Sequence, residues 1–174
     1  MTGEFTLNIN RRPFKTKPNN IETAMIQKNF KTETMHLSQL RTLLLLGATV
    51  KPAVLNEKGL FESQQIFFVD VDKDVSVHKN LMKGLKMGIY PSLAYRTFTG
   101  TVKNQKHRLA FLFEEPVTDV RERDELQEKL NSIFGGDKSC NNLNRIFYGG
   151  NAQYFFNPVF YTDIKKVKEA EIYD

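Results

Sequence analysis

The stretch QQIFFVDVDKD (Gln64–Asp74) drives four consecutive strand-forming apolar residues, Ile66 to Val69, into a pair of carboxylates, Asp70 and Asp72. A strand alternates its faces, so Asp70 and Asp72 point the same way and lie close together, while Val71 points the other way. Two like charges at that separation raise the pKa of one of them unless a cation sits between them. Oxygen donors of this kind suit Mg²⁺ or Mn²⁺, and Mg²⁺ is commonly held by one or two carboxylates together with substrate phosphates. The plainer alternative is a strand that ends at Val69 with the acids in a solvated exit turn. The apolar run immediately before them favours a site.

The chain around this stretch has 174 residues, enough for one domain with a real core. Its 40% hydrophobic and 26% charged residues are ordinary for a globular protein. A formal charge of +5 and a pI near 9.2 make an anionic partner reasonable without requiring one. Cys140 is the single cysteine, which excludes an internal disulfide and a multi-cysteine zinc site. The N-terminus lacks the apolar core of a signal peptide, and no run approaches the roughly 20 apolar residues of a membrane span. A cytoplasmic protein with no membrane partner is expected. Fourteen phenylalanines and no tryptophan suggest a sheet-rich core with rings to spare for stacking on bases.

FTLNIN reads as a short strand, broken by the basic, proline-containing RRPFKTKPNN. Leu37, Leu40, Leu43 and Leu44 at helical spacing predict a helix that Gly47 ends. TVKPAVLN reads as extended, and the strand bearing the aspartates follows NEKG. A helix is expected over Val75–Met87, with Gly88 as its stop. SLAYRTFTG and HRLAFLFEEPV form a predicted β-hairpin. Asp119 is placed to cap a helix over Val120–Phe134, and NRIFYGG with AQYFFNP reads as a second hairpin about a Gly-Gly-Asn turn. The tail from Tyr161 is charged and amphipathic, either a terminal helix or the start of a linker. Interspersed strands and helices with two adjacent hairpins predict an α+β fold with a largely antiparallel sheet.

Four clusters can carry chemistry: Asp70 with Asp72; Lys106, His107 and Arg108 at a strand start; Asp137 and Arg145 among glycines; and Tyr95 with Arg96 before a hydroxyl-rich turn. Each has a structural alternative. His107 can be a strand-edge histidine, Arg145 the partner of a surface acid, and Asp137 a turn residue. His36 and His78 have no ligand-type neighbours and are read as structural. Taken together, the clusters match the needs of phosphoryl transfer, which asks for metals to bridge phosphates, fixed cations and good positioning. No Walker A sequence, G-x-S-x-G elbow or kinase signature occurs.

FFVDVD resembles the first motif of the archaeo-eukaryotic primase superfamily, a hydrophobic strand ending in D-h-D. YRTFTGTVKNQKHRLAFLFEEPVTD and GDKSCNNLNRIFYGG, in that order, resemble the primase-polymerase domains of phages, plasmids and other mobile elements. The similarity runs from about Leu37 to Phe156. It implies an RRM-like catalytic sheet flanked by helices with a smaller N-terminal α/β part, the catalytic domain spanning 1–160 and residues 161–174 forming a terminal helix or linker. It also implies two metals, Mg²⁺ or Mn²⁺ and no zinc, on Asp70, Asp72 and a third acid, Asp137. His107 matches the phosphate-contacting histidine of the second motif. Arg108 is the alternative for that work, because the two residues point to opposite faces and only one can face the metals. Lys106 and Arg145 are expected at the nucleotide's phosphates, and Arg96, Tyr95 and Tyr148 along the nucleic acid. The implied partners are nucleoside triphosphates, a single-stranded DNA template and a helicase domain in a longer parent chain. The implied activity is templated nucleotidyl transfer, as primase or polymerase. Two other readings stay open: a non-catalytic single-strand-binding module of a replication initiator, and a metal-dependent nuclease.

Overall fold

The computed structural model of the chain describes residues 3–73, 75–159 and 161–172. Its N-terminal unit is built on β1 (Glu4–Asn10), joined through α1 (Asn20–Gln27) to β2 (Lys31–His36), and then through α2 (Leu37–Leu45) to β3 (Thr49–Lys51). The three strands pair antiparallel in the order β2-β1-β3. β4 (Val54–Leu55) and β5 (Phe61–Val71) then lead into the larger sheet, followed by α3 (Val77–Met87), β6 (Leu93–Thr97), β7 (His107–Val117) and α4 (Val120–Phe134). A 3₁₀ turn at Lys138–Asn141, β8 (Gly150–Phe156) and α5 (Ile164–Glu169) complete it. The sheet order is β4-β5-β7-β6-β8, again with antiparallel pairing throughout. The fold is therefore the α+β arrangement of antiparallel sheets flanked by helices that the sequence predicts.

β5 reads as an unbroken apolar run because both of its faces are covered. Ile66 and Phe68 belong to a core shared with Phe5, Leu7 and Ile9 of β1 and with Leu40 and Leu44 of α2. Phe67, Val69 and Val71 pack instead with Leu126, Leu130 and Phe134 of α4. All five of these β5 side chains are fully buried, and each such large side chain contributes about 1.5–3 kcal/mol relative to exposure. The helices begin and end where local chemistry dictates. Ser76 accepts a hydrogen bond from the Lys79 N–H at 3.1 Å, and Asp119 accepts from those of Arg121 and Glu122 at 2.8 and 3.1 Å. α3 thus starts at Val77, two residues later than the periodicity suggests, because Ser76 takes the cap.

The second predicted hairpin does not form. Phe147 makes only an isolated bridge to Val50, and β8 pairs with β6. Gly149 and Gly150 are not turn glycines, since neither has positive φ. They are glycines because other backbone passes too close for a side chain: a Cβ would overlap the Leu44 carbonyl at Gly149 and the Arg96 carbonyl at Gly150. α1 and β2 were not anticipated from the sequence either. In the tail, α5 docks on α4 with Val167 fully buried, while the last two residues of the predicted 161–174 segment lie outside the described residues. Among the described residues no helix is long and apolar enough to cross a membrane.

Gly150→Ala is expected to lower the urea midpoint, costing about 1–3 kcal/mol through overpacking against β6. An unchanged midpoint would belong to an exposed turn and not to a packed crossing.

Candidate active site

The antiparallel register sets Asp70 opposite Arg108. Both are nearly buried, and Arg108 Nε donates to Asp70 Oδ1 at 3.1 Å. Arg108 Nη1 also donates to the Tyr148 carbonyl and, at 3.5 Å, to the Tyr95 hydroxyl. The guanidinium lies 5.5 Å from the Phe147 ring centroid. Burial is the largest single influence and works against its charge, but the Asp70 carboxylate and the Tyr95 hydroxyl together outweigh it and hold the Arg108 pKa above the ordinary arginine value.

Asp72 follows at the exposed end of the same face. Partial desolvation and the Asp70 charge push its pKa up, while Lys106 and Arg108 pull it down. Its side chain makes no hydrogen bond or ion pair among the described residues. Asp137 reaches the neighbourhood through its backbone, its N–H donating to the Asp70 carbonyl at 2.9 Å. Its carboxylate is turned into the 3₁₀ turn, where it accepts from the Ser139 N–H at 2.9 Å, and hydrogen bonding to Ser139 holds its pKa low.

A cleft of about 140 Å³ joins these groups: Asp70, Asp72 and Arg108 from the sheet, Thr97–Thr99 from the end of β6, Arg145 and Tyr148 from the segment before β8, and Lys17 from the N-terminal unit. Arg145 Nε is buried with no hydrogen-bond partner, and the residue makes no ion pair among the described residues. Lys17 was missed by sequence reasoning, which saw only one more basic residue in a proline-containing connection. The hydroxyl-rich turn after Tyr95 is present at the cleft through Thr97 and Thr99.

Three expected residues lie elsewhere. Tyr95 is fully buried, and its hydroxyl donates to the Tyr148 carbonyl at 3.0 Å, so its ring supports Arg108 and offers no surface to a base. Arg96 projects from the opposite side of β6, where Nε donates to Asn151 Oδ1 at 2.8 Å. His107, opposite Val71 in register, is buried on the helix-covered face. Its Nδ1 lies 2.6 Å from the Gln105 carbonyl and its Nε2 3.1 Å from Asn80 Nδ2. A carbonyl only accepts, so Nδ1 carries the proton and Nε2 accepts from the Asn80 amide. Burial pushes the His107 pKa down, in keeping with this neutral ring. Of the pair His107 and Arg108, only Arg108 faces the acids.

Asp70 and Asp72 supply the hard oxygen donors that suit a divalent cation, and the mutual repulsion that raises the Asp72 pKa is of the kind a cation relieves. Asp137 fits less directly, since its carboxylate caps its own turn. Among the described residues no group of three His, Cys, Asp or Glu side chains is gathered closely enough to hold a metal ion. Cys140 offers no soft alternative, as it is buried and its thiol pKa is pushed up to about 11.

No protein-family profile matches the chain, and no curated protein does. Among solved structures the fold is similar to the AEP domain of the cyanophage S-2L primase-polymerase, with a TM-score of 0.54 at 15% identity, covering 96% of this chain and 88% of that one. The likeness is one of fold.

The buried His107 has a thermodynamic signature. Its folded pKa is depressed, so below the unfolded value of about 6.5 the unfolded chain binds a proton that the folded ring resists. The stability it contributes is complete above about pH 6.5 and declines as pH falls from there towards the folded pKa, by at most about 1.4 kcal/mol per pH unit. Urea unfolding on either side of that pH should show a steeper acid loss in the parent than in His107→Gln. Parallel losses would mean the ring is not held neutral.

Proposed function

We propose that the chain is a metal-dependent nucleotidyltransferase that joins nucleoside triphosphates on a single-stranded DNA template, as a primase or primase-polymerase domain of the phage, plasmid or mobile-element type. The observation that carries this reading is the cleft in which Asp70 and Asp72, at the end of the central strand, face Arg108, Arg145 and Lys17. The fold likeness to a primase-polymerase domain supports it. Asp70 and Asp72 would hold Mg²⁺ or Mn²⁺, with Asp137 joining if its carboxylate leaves the Ser139 N–H. The metal would lower the pKa of the attacking hydroxyl and offset charge on the departing pyrophosphate. Arg108 is anchored at Asp70 and at the Tyr148 carbonyl, which fixes its charge at the cleft floor with little orientational freedom. Lys17 and Arg145 bring unneutralised positive charge to the rim, where a triphosphate needs it. Lys106 sits close enough to Asp72 to lower its pKa and would add to the same field. Tyr148 is positioned for contact with the template strand.

A second reading, a single-strand-binding module without catalysis, is favoured by one feature: Asp70 is already paired by Arg108, and Asp137 already caps a turn. Such a module would bind DNA equally well in EDTA. A nuclease would shorten labelled single strands, whereas the proposed transferase lengthens them.

Asp70 is a poor residue to test by deletion, because Asp70→Ala strands a buried guanidinium and should destabilise the fold by about 3–5 kcal/mol. Asp72→Asn is the cleaner probe, since Asp72 is exposed and lies beside the like charge of Asp70, with no ion pair of its own among the described residues. Metal-dependent primer synthesis or extension should fall by about a hundredfold or more, equivalent to roughly 2.7 kcal/mol in the barrier, with no loss of melting temperature. Undiminished synthesis in a folded Asp72→Asn protein would reject the assignment.

A further inference from the structure

The helix-covered face of the sheet, on the side of β5 away from the acids, carries a buried polar chain. Asn80 Nδ2 donates to the Phe134 carbonyl and to His107 Nε2, both at 3.1 Å. Across the ring, His107 Nδ1–H meets the Gln105 carbonyl at 2.6 Å. The Gln105 side chain extends the chain, its Oε1 accepting at 3.1 Å from the Val77 N–H, one of the orphan donors at the start of α3. Asn80 and His107 are both fully buried.

Each end of this chain adjoins a stretch that brings charge to the acid cleft. Val77 heads α3, the helix that follows Asp72 in the chain. Phe134 ends α4, and only Gly135 and Gly136 separate it from Asp137. That passage is tight, because a Cβ at Gly136 would overlap Val69 and Asn131, and the Asp137 N–H is bonded to the Asp70 carbonyl. Gln105 and His107 flank Lys106, whose charge acts on Asp72. One imidazole thus links three stretches that reach the cleft from different elements. Stability alone does not account for the arrangement. Asn80 Oδ1 is buried with no hydrogen-bond partner among the described residues, and an unmet buried acceptor is destabilising. What the amide and the imidazole provide is direction: bonds aimed at the Phe134 and Gln105 carbonyls fix those two points relative to each other, which apolar packing would not do.

We infer that His107 is a positioning residue of the acid cleft: held at both ring nitrogens on the far face of the sheet, it fixes the stretches bearing Asp72, Lys106 and Asp137 relative to one another, and with them the place where a divalent cation meets the carboxylates. This rests on the proposed transferase reading for the cation. The test is titration of Mn²⁺ into the full chain, followed by electron paramagnetic resonance, with an α,β-methylene nucleoside triphosphate present so that no transfer occurs. Gln105→Ala removes one half-buried side-chain bond and is expected to stay folded. Its Mn²⁺ dissociation constant should rise by about three- to tenfold, at or below the low end of what partners behind a metal ligand contribute. His107→Asn keeps a donor for the Gln105 carbonyl, and His107→Gln keeps an acceptor for the Asn80 amide. Each should fall between the parent and His107→Leu, which keeps neither. A merely structural role would lower the number of Mn²⁺ sites per chain as protein unfolds and leave the dissociation constant of the remaining sites unchanged. That result, or parent-like binding in every variant, would overturn the inference and leave the transferase reading standing. Absence of Mn²⁺ binding in the parent with the nucleotide present would overturn both.

Discussion

Asp70 and Arg108 meet at 3.1 Å on adjacent strands, and neither ion could remain at that depth alone. Removing a carboxylate or a guanidinium from water costs several kcal/mol, which a single partner repays only if the remaining hydrogen-bonding capacity is also met. Arg108 therefore recruits the Tyr148 carbonyl and the Tyr95 hydroxyl, and Tyr95 in turn donates to that same carbonyl. The consequence reaches beyond the pair. Fixing the Tyr148 carbonyl fixes the segment that carries Arg145, and the Asp70 carbonyl receives the Asp137 N–H. Three stretches distant in sequence are gathered at one point because a buried ion pair needs all of its partners.

The same pair bears on how the site could work. Arg108 occupies Oδ1 of Asp70, and no protein hydrogen bond to Oδ2 exists among the described residues. A carboxylate has about four acceptor positions, so it can keep the guanidinium and still offer oxygen elsewhere. A metal placed there would feel the repulsion of Arg108 and, further off, of Arg145 and Lys17. Under the proposed reading this favours a cation that arrives with polyanionic substrate, since the phosphates screen both sets of positive charge. Weak holding by protein alone is the usual situation for Mg²⁺ at one or two carboxylates.

Much of the scaffold could be read from residue patterns because its causes are local. IFFV announces a strand covered on both faces, D-x-D places two acids on one face, and Asp119 marks a helix start by its side chain, whereas the apolar spacing, read without the Ser76 cap, sets the start of α3 two residues too early. Other features have non-local causes. Gly149-Gly150 mimics a hairpin turn, yet it answers to the Leu44 and Arg96 carbonyls crossing over it. Strand parity separates His107 from Arg108, but which of them faces the acids depends on α3 and α4 covering one side of the sheet. Tyr95 shares a face with Arg108, and its burial is set by packing against strands far away in the chain. α1 did leave a signal: Asn19 and Glu22 form a reciprocal capping box, with bonds of 2.8 and 3.1 Å, and the N-x-x-E spacing is visible in the sequence.

The N-terminal unit is smaller than the main sheet, but the acid cleft cannot be described without it. β1 and α2 roof Ile66 and Phe68, and Asp70 comes next on that face, where the acid cleft opens. The connection after β1 is held down at Phe14, whose N–H donates to the Gly47 carbonyl at 3.3 Å and whose backbone would overlap any Cβ at Gly47. Gly149 packs against Gly47 from the other direction, again with no room for a side chain. Two glycines without intervening side chains thus let the connection after β1, the end of α2 and the segment before β8 converge. That convergence carries Lys17 to the rim of the acid cleft. A larger residue at Gly47 would push this connection outward and dissolve the rim, while the pairing of β5 with β7 still sets Asp70 opposite Arg108.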